Sequence, residues 1–179
     1  MLILGVVRIF QPVHGYDVRR ELLSWHADEW ANVAPGSIYH GLKKLSDEGL
    51  LREVATEQVG GRPARTTYEI TAKGEEEFQD LLGRTWWDYK PAVNPFWTAF
   101  TFLPVTPRNI GVAALRHRAS RLRLLRESMQ LRKVTELDMT HAAHVAELMD
   151  LEMAQLETEA DWCDRVADRL AKGELEAGD

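Results

Sequence analysis

The sequence predicts a mostly α chain with one two-stranded β element and a helical arm at its C-terminal end. Three observations carry this. Apolar residues recur at helical spacing in three short segments within the first fifty residues. The pattern then switches to strands on either side of a Gly-rich turn. Two long charged segments close the chain, and the second has apolar residues spaced alternately by four and three.

The elements follow in order. Residues 1–10 read as an apolar helix, and Gln11-Pro12-Val13-His14-Gly15 as a break, because Pro and Gly punctuate. Residues 15–26 carry Tyr16, Val18, Leu22, Leu23 and Trp25 near helical spacing. After a loop, Ala34-Pro35-Gly36-Ser37 starts a third helix, with Ser37 placed to cap or open it. Ile38, Leu42 and Leu45 form its buried stripe, and Gly49 stops it. Residues 50–57 read as a strand and 59–65 as a turn; Thr66-Thr67-Tyr68-Glu69-Ile70 alternates as a second strand. Residues 71–75 open a helix that runs towards Trp86. Three helices followed by a hairpin with a basic turn make a winged helix-turn-helix with a two-stranded wing.

The rest divides from this unit by composition. The expected boundaries are 1–85 for the winged unit, 86–106 for an aromatic and Pro-rich hinge with a short helix near 95–103, and 107–179 for the arm. The arm reads as two helices, roughly 107–136 and 140–172. Arg108, Arg116, Arg118, Arg121, Arg123, Arg126, Arg132 and Lys133 make the first strongly basic, while acids dominate the stretch from 136 to 179. Opposite charge implies that the two helices pack together, within one chain or between chains; in the competing reading the basic helix touches DNA. The seam Ala142, Ala146, Met149, Met153, Leu156, Ala160, Cys163, Ala167 and Leu170 is a heptad pattern. The expected homodimer interface is Met149, Met153, Leu156, Ala160, Cys163, Ala167 and Leu170.

Composition narrows the class. With 45% hydrophobic and 28% charged residues the chain is of ordinary globular character. No stretch approaches the roughly 18 apolar residues that span a bilayer, and the apolar N-terminus lacks the features of a signal peptide. A cytoplasmic protein without membrane contact is expected. The single cysteine, Cys163, excludes an internal disulfide and a multi-cysteine zinc site. The net charge of −6 does not exclude DNA, which needs a local basic face rather than a basic total. No nucleophile elbow, phosphate-binding Gly-rich loop or carboxylate pair is present, so the chain reads as a non-enzyme without cofactor or metal. His141 and His144 are three apart, but no third ligand is evident and they read as solvated side chains.

In the third helix the inward stripe leaves Ser37, Tyr39, His40, Lys43 and Lys44 on other faces. Hydroxyls, an imidazole and ammonium groups can all bond phosphates or base edges, and a major groove admits one helix. Arg62 and Arg65 on the wing turn suit phosphate or minor-groove contact. These seven residues are the expected DNA-binding set.

Motifs point the same way. His14-Gly15-Tyr16-Asp17, Pro35-Gly36-Ser37-Ile38-Tyr39 with Leu42-Lys43-Lys44-Leu45 and Glu48-Gly49-Leu50, Gly61-Arg62-Pro63-Ala64-Arg65-Thr66-Thr67-Tyr68, and Thr71-Ala72-Lys73-Gly74 occur in order over residues 1–80. In this the chain resembles the PadR family of bacterial transcriptional regulators. One departure is His40-Gly41, where the family usually has Pro-Ala. The resemblance implies a regulator, most often a repressor, that binds a pseudo-palindromic DNA operator as a homodimer through a long C-terminal domain and often responds to small aromatic compounds. Trp86, Trp87, Phe96, Trp97 and Phe100 are the expected aromatic effector set, although such a cluster also serves as packing between regions. The rival reading is a protein-interaction module whose helical arm pairs with another protein.

Overall fold

A computed structural model describes the chain except for Asn32, residues 58–64, Ala92, residues 136–142 and Asp179. The described residues fall into two compact units, Met1–Pro91 and Ala92–Asp179. The stretch expected as a hinge is thus divided between them.

The first unit contains α1 (Leu2–Phe10), β1 (Val13–His14), α2 (Gly15–Ser24), the four-residue α3 (Ala27–Trp30), α4 (Ser37–Asp47), β2 (Leu51–Glu57), β3 (Arg65–Ile70) and α5 (Ala72–Trp87). Its core gathers Leu4, Val6, Val7, Val18, Leu22, Ile38, Leu42 and Leu51, with Phe78, Leu81 and Ile70 against them. The expected wing strands are the antiparallel pair β2 and β3, with Leu51 opposite Ile70 and Glu57 opposite Arg65. The sheet has a third member that the sequence did not announce. Within the break at 11–15, Val13 and His14 pair with Tyr68 and Thr67, giving the order β1-β3-β2. Side chains reinforce the pairing: Gln11 Oε1 accepts from the Ile70 N–H at 3.0 Å, and His14 Nδ1 lies 2.9 Å from Thr67 Oγ1.

Two glycines close turns that carry this unit. Gly49 has φ of +72°, the left-handed conformation glycine adopts without steric cost. The Leu50 N–H bonds Leu45 O and the Gly49 N–H bonds Ser46 O, both at 2.9 Å, which is the Schellman pattern that ends α4. Thr71 then caps α5: its Oγ1 accepts from the Gly74 N–H at 3.0 Å and donates to Gly49 O at 2.8 Å. A Cβ on Gly74 would lie 2.0 Å from Leu50 O, so only glycine permits the α5 start to sit against this chain reversal. The Thr-Ala-Lys-Gly motif is therefore a joint between α4, the sheet and α5.

The second unit contains α6 (Pro95–Thr101), a single 3-10 turn (Leu103–Val105), α7 (Arg108–Thr135) and α8 (Ala143–Ala171). Asn94 Oδ1 caps α6 by accepting from the Phe96 N–H at 3.0 Å, and Pro95 occupies its first turn. The long helices pack on each other through Leu115, Ala119, Ala160, Cys163, Val166, Ala167 and Leu170. The chain end folds back over the start of α7, where Arg108 Nη1 donates to Leu170 O at 2.6 Å and the Arg108 N–H bonds Gly178 O at 3.2 Å.

Charge complementarity between the basic and acidic segments operates within the chain. Arg123 bonds Asp161 at 2.8 Å and Asp164 at 2.7 Å; Arg118 bonds Glu159 at 2.6 Å; Arg126 reaches Glu157 at 3.1 Å. The same packing corrects the expected dimer interface. Met153, Ala160, Cys163, Ala167 and Leu170 are buried by their own chain and are not available to a second copy, while Met149 and Leu156 are half-buried. A heptad seam states that a helix is covered, not by which helix. Ala142 and His141 lie outside the described residues.

Candidate nucleic-acid interface

Helix α4 is held by its neighbours on one side only. Ile38 and Leu42 are fully buried, with Leu45 against the same core. At about 100° per residue, Gly41, Leu45, Ile38 and Leu42 fill one arc of the helix, and Tyr39, Lys43, His40, Lys44 and Ser37 occupy an arc of about 160° on the other. All five of these side chains are exposed. The structure thus brings together, on one face, every expected α4 contact residue.

Ser37 opens the helix rather than capping it. The cap position is Gly36, without a side-chain bond, and Ser37 Oγ donates back to Ala34 O at 2.7 Å. Lys43 pairs with Asp47 at 3.2 Å and Lys44 with Glu48 at 3.8 Å. Both lysines are about three-quarters exposed. Such pairs contribute about 0–1 kcal/mol, so exchanging a carboxylate for a phosphate costs little. Tyr39 is half-exposed, and its inner edge packs where α2 begins. A Cβ on Gly15 would lie 3.5 Å from ring carbons of both Tyr39 and Tyr68, and 3.2 Å from Leu42 Cδ1. The glycine of the His-Gly-Tyr motif thus lets the start of α2 approach α4 and β3 closely. Tyr68 has its phenol pushed above the usual value by burial and by Glu53, with a hydrogen bond to Thr66 and then Lys43 acting against the shift.

The wing is only partly described. Arg62 lies outside the described residues, and Arg65 opens β3.

The expected effector residues separate into two groups. Trp86 and Trp87, at the end of α5 in the first unit, are strongly exposed. In the second unit Phe96 and Phe100 form an edge-on cluster with Trp162, at centroid distances of 6.0 and 5.1 Å, while Trp97 is exposed. The Arg118 guanidinium lies over the Phe96 ring at 4.1 Å. Trp162 and Arg118 were not among the expected residues. Each lies on a long helix far along the chain from Phe96, and no local pattern links them. Among the described residues, no three His, Cys, Asp or Glu side chains are grouped as metal ligands.

The comparisons with known proteins bear on the first unit directly. The model of the transcriptional regulator PadR-like family matches residues 3–80. Over residues 3–80 the first unit is thus similar to the PadR-like family, and the match spans less than half of the chain. Among solved structures, Bacillus subtilis PadR in complex with operator DNA is similar, with a TM-score of 0.74 at 18% identity over 94% of this chain and 96% of that one. The same regulator in complex with p-coumaric acid has a TM-score of 0.73 at 18% identity over the same shares of the two chains. The PadR-like regulator BC1756 of Bacillus cereus has a TM-score of 0.63 at 18% identity over 94% of this chain and 92% of that one. At this identity the likeness is one of fold. No curated protein matches the sequence. Among the described residues, no helix is long and apolar enough to cross a membrane.

Proposed function

We propose that this chain is a PadR-like transcriptional regulator, a repressor that binds a pseudo-palindromic operator as a homodimer with the outer face of α4 in the major groove. The observation that carries the reading is the segregation on α4: Ile38 and Leu42 on its inner side are fully buried, and Ser37, Tyr39, His40, Lys43 and Lys44 stand together outside. Arg62 and Arg65 complete the surface as phosphate contacts from the wing. One recognition helix reads only a few base pairs, so a specific site needs two, placed about 34 Å apart on one side of the duplex.

The dimer rests on apolar surface that the chain does not cover. Leu124, Leu131 and Val134 of α7 form an exposed stripe at spacings of seven and three, and Leu148 and Leu151 are exposed one turn apart on α8. Release by a small aromatic effector is supported by the p-coumaric acid complex of the Bacillus subtilis protein and by the exposed indoles of Trp86, Trp87 and Trp97.

Selection from a random-sequence duplex library with the full-length protein tests the reading. Enrichment of a two-fold symmetric motif, released by p-coumaric acid or a related phenolic acid, is expected. Failure to enrich any sequence contradicts DNA recognition and favours a protein-interaction module. Enrichment without release contradicts only the effector.

A further inference from the structure

Glycine inside a helix costs about 1 kcal/mol relative to alanine. Gly41 nevertheless sits in the middle of α4, on its inner side. A Cβ there would lie 2.4 Å from Ile3 Cδ1, well inside van der Waals contact. The terminal methyl of Ile3 on α1 therefore occupies the space that an alanine methyl of α4 would fill.

Helix α1 is in turn tied to α5 along its length. The Arg8 guanidinium bonds both carboxylate oxygens of Glu75 at 2.9 and 2.8 Å and lies 5.6 Å from the Phe78 ring centroid. A Cβ on Gly5 would lie 3.1 Å from the Phe78 ring, so the helices meet closely there, and Thr85 Oγ1 reaches Met1 Sδ at 3.8 Å. Bracing of this kind leaves α1 little room to retreat from α4. The residue next to Gly41 is His40, and the outward set of α4 rides on the same rigid helix.

We infer that Gly41 is a positioning residue: with Ile3 it sets how far α4 stands out from the winged unit, and thereby the presentation of Tyr39, His40, Lys43 and Lys44 to base edges. The inference rests on the DNA-binding reading above. It assigns to Gly41 a role in specificity through position, while His40 keeps its place among the contacts. Base-edge hydrogen bonds tolerate little displacement, whereas phosphate contacts made by long flexible side chains adapt.

The test uses full-length protein, the duplex that the wild type selects from the random library, and a duplex of scrambled sequence. Gly41→Ala is expected to weaken the selected duplex about tenfold, the value of one impaired base contact, and to leave the scrambled duplex unchanged. The double variant Ile3→Val with Gly41→Ala moves one methyl across the contact at constant volume. It is expected to recover affinity to within about threefold, as volume-conserving exchanges do. Ile3→Val alone leaves a small gap and is expected to weaken the selected duplex by about threefold. This third variant keeps the glycine and remains informative if Gly41→Ala melts below the assay temperature. Wild-type affinity in Gly41→Ala, which would mean that Ile3 merely turns aside, overturns the inference. So does a double variant no better than Gly41→Ala, an equal loss on both duplexes, or an Ile3→Val protein that binds as wild type. A wild type that selects no duplex refutes the DNA-binding reading itself, before any variant is measured.

Discussion

Individual residues show how local chemistry sets the joints of the winged unit. Gly74 sits under Leu50 O, where any Cβ meets a backbone atom that cannot turn aside. Gly74→Ala is therefore expected to destabilise the first unit by about 1–3 kcal/mol or more, the range of overpacking, in spite of alanine's better helix propensity. Denaturant unfolding followed by circular dichroism measures it, and a variant as stable as wild type would remove the close-approach account of the Thr-Ala-Lys-Gly motif. At this scale the sequence was informative where a residue type has few uses. Gly49 was legible as a helix stop because left-handed backbone favours glycine. Ser37 was legible as a helix start, but not as the first helical residue, because capping and opening share one composition. Trp162 was not legible at all. Its partners Phe96 and Phe100 lie some sixty positions away, and a half-buried tryptophan on a helix carries no mark of what it meets.

Secondary-structure elements were read from period, and the errors occur where period is undefined. The long helices α5, α7 and α8 and the β2–β3 pair lie close to their expected ranges, because several turns or alternations repeat the signal. β1 has two residues and α3 has four, too few to show any period. The heptad seam of α8 was legible as covered, in part by the preceding helix, but not how it divides between that helix and a partner; Ala160, Cys163, Ala167 and Leu170 face α7. What joins α7 to α8 beyond that seam is charge. Arg123 lies among Glu157, Asp161 and Asp164, and bonds to Asp164 first and then Asp161 raise its already high pKa further. Arg123→Gln is expected to lower the thermal midpoint of the helical arm at low salt, and to lower it less in high salt, where screening has already weakened the wild-type pairs. An effect independent of salt would assign Arg123 to packing instead.

Across the whole molecule, the proposed homodimer rests on the remaining apolar surface. Leu124, Leu131, Leu148 and Leu151 are all more than half exposed, and apolar rows on long helices are characteristic of interfaces. Leu148→Asp combined with Leu151→Asp leaves the described α7–α8 core untouched. It is expected to yield a folded monomer by sedimentation that binds a single half-site weakly. A variant that sediments as the wild-type dimer would move the contact elsewhere. The class of the molecule was legible from the ordered motifs over residues 1–80, and the family model matches the same stretch. The arm carries no comparable motif. Its architecture follows from amphipathic spacing and charge, which many sequences satisfy, and so the proposed partner surface rests on which leucines remain uncovered.

The proposed recognition of DNA rests on α4 as a reader of sequence. The decisive measurement is the affinity of Tyr39→Ala with Lys43→Ala for the selected and the scrambled duplex across a range of salt, beside Arg62→Ala with Arg65→Ala. The α4 variant is expected to lose about 1–3 kcal/mol per impaired contact on the selected duplex and with it most of the preference over the scrambled one. The wing variant is expected to weaken both duplexes evenly and to flatten the salt dependence. An α4 variant that keeps the wild-type preference between the two duplexes would contradict the claim.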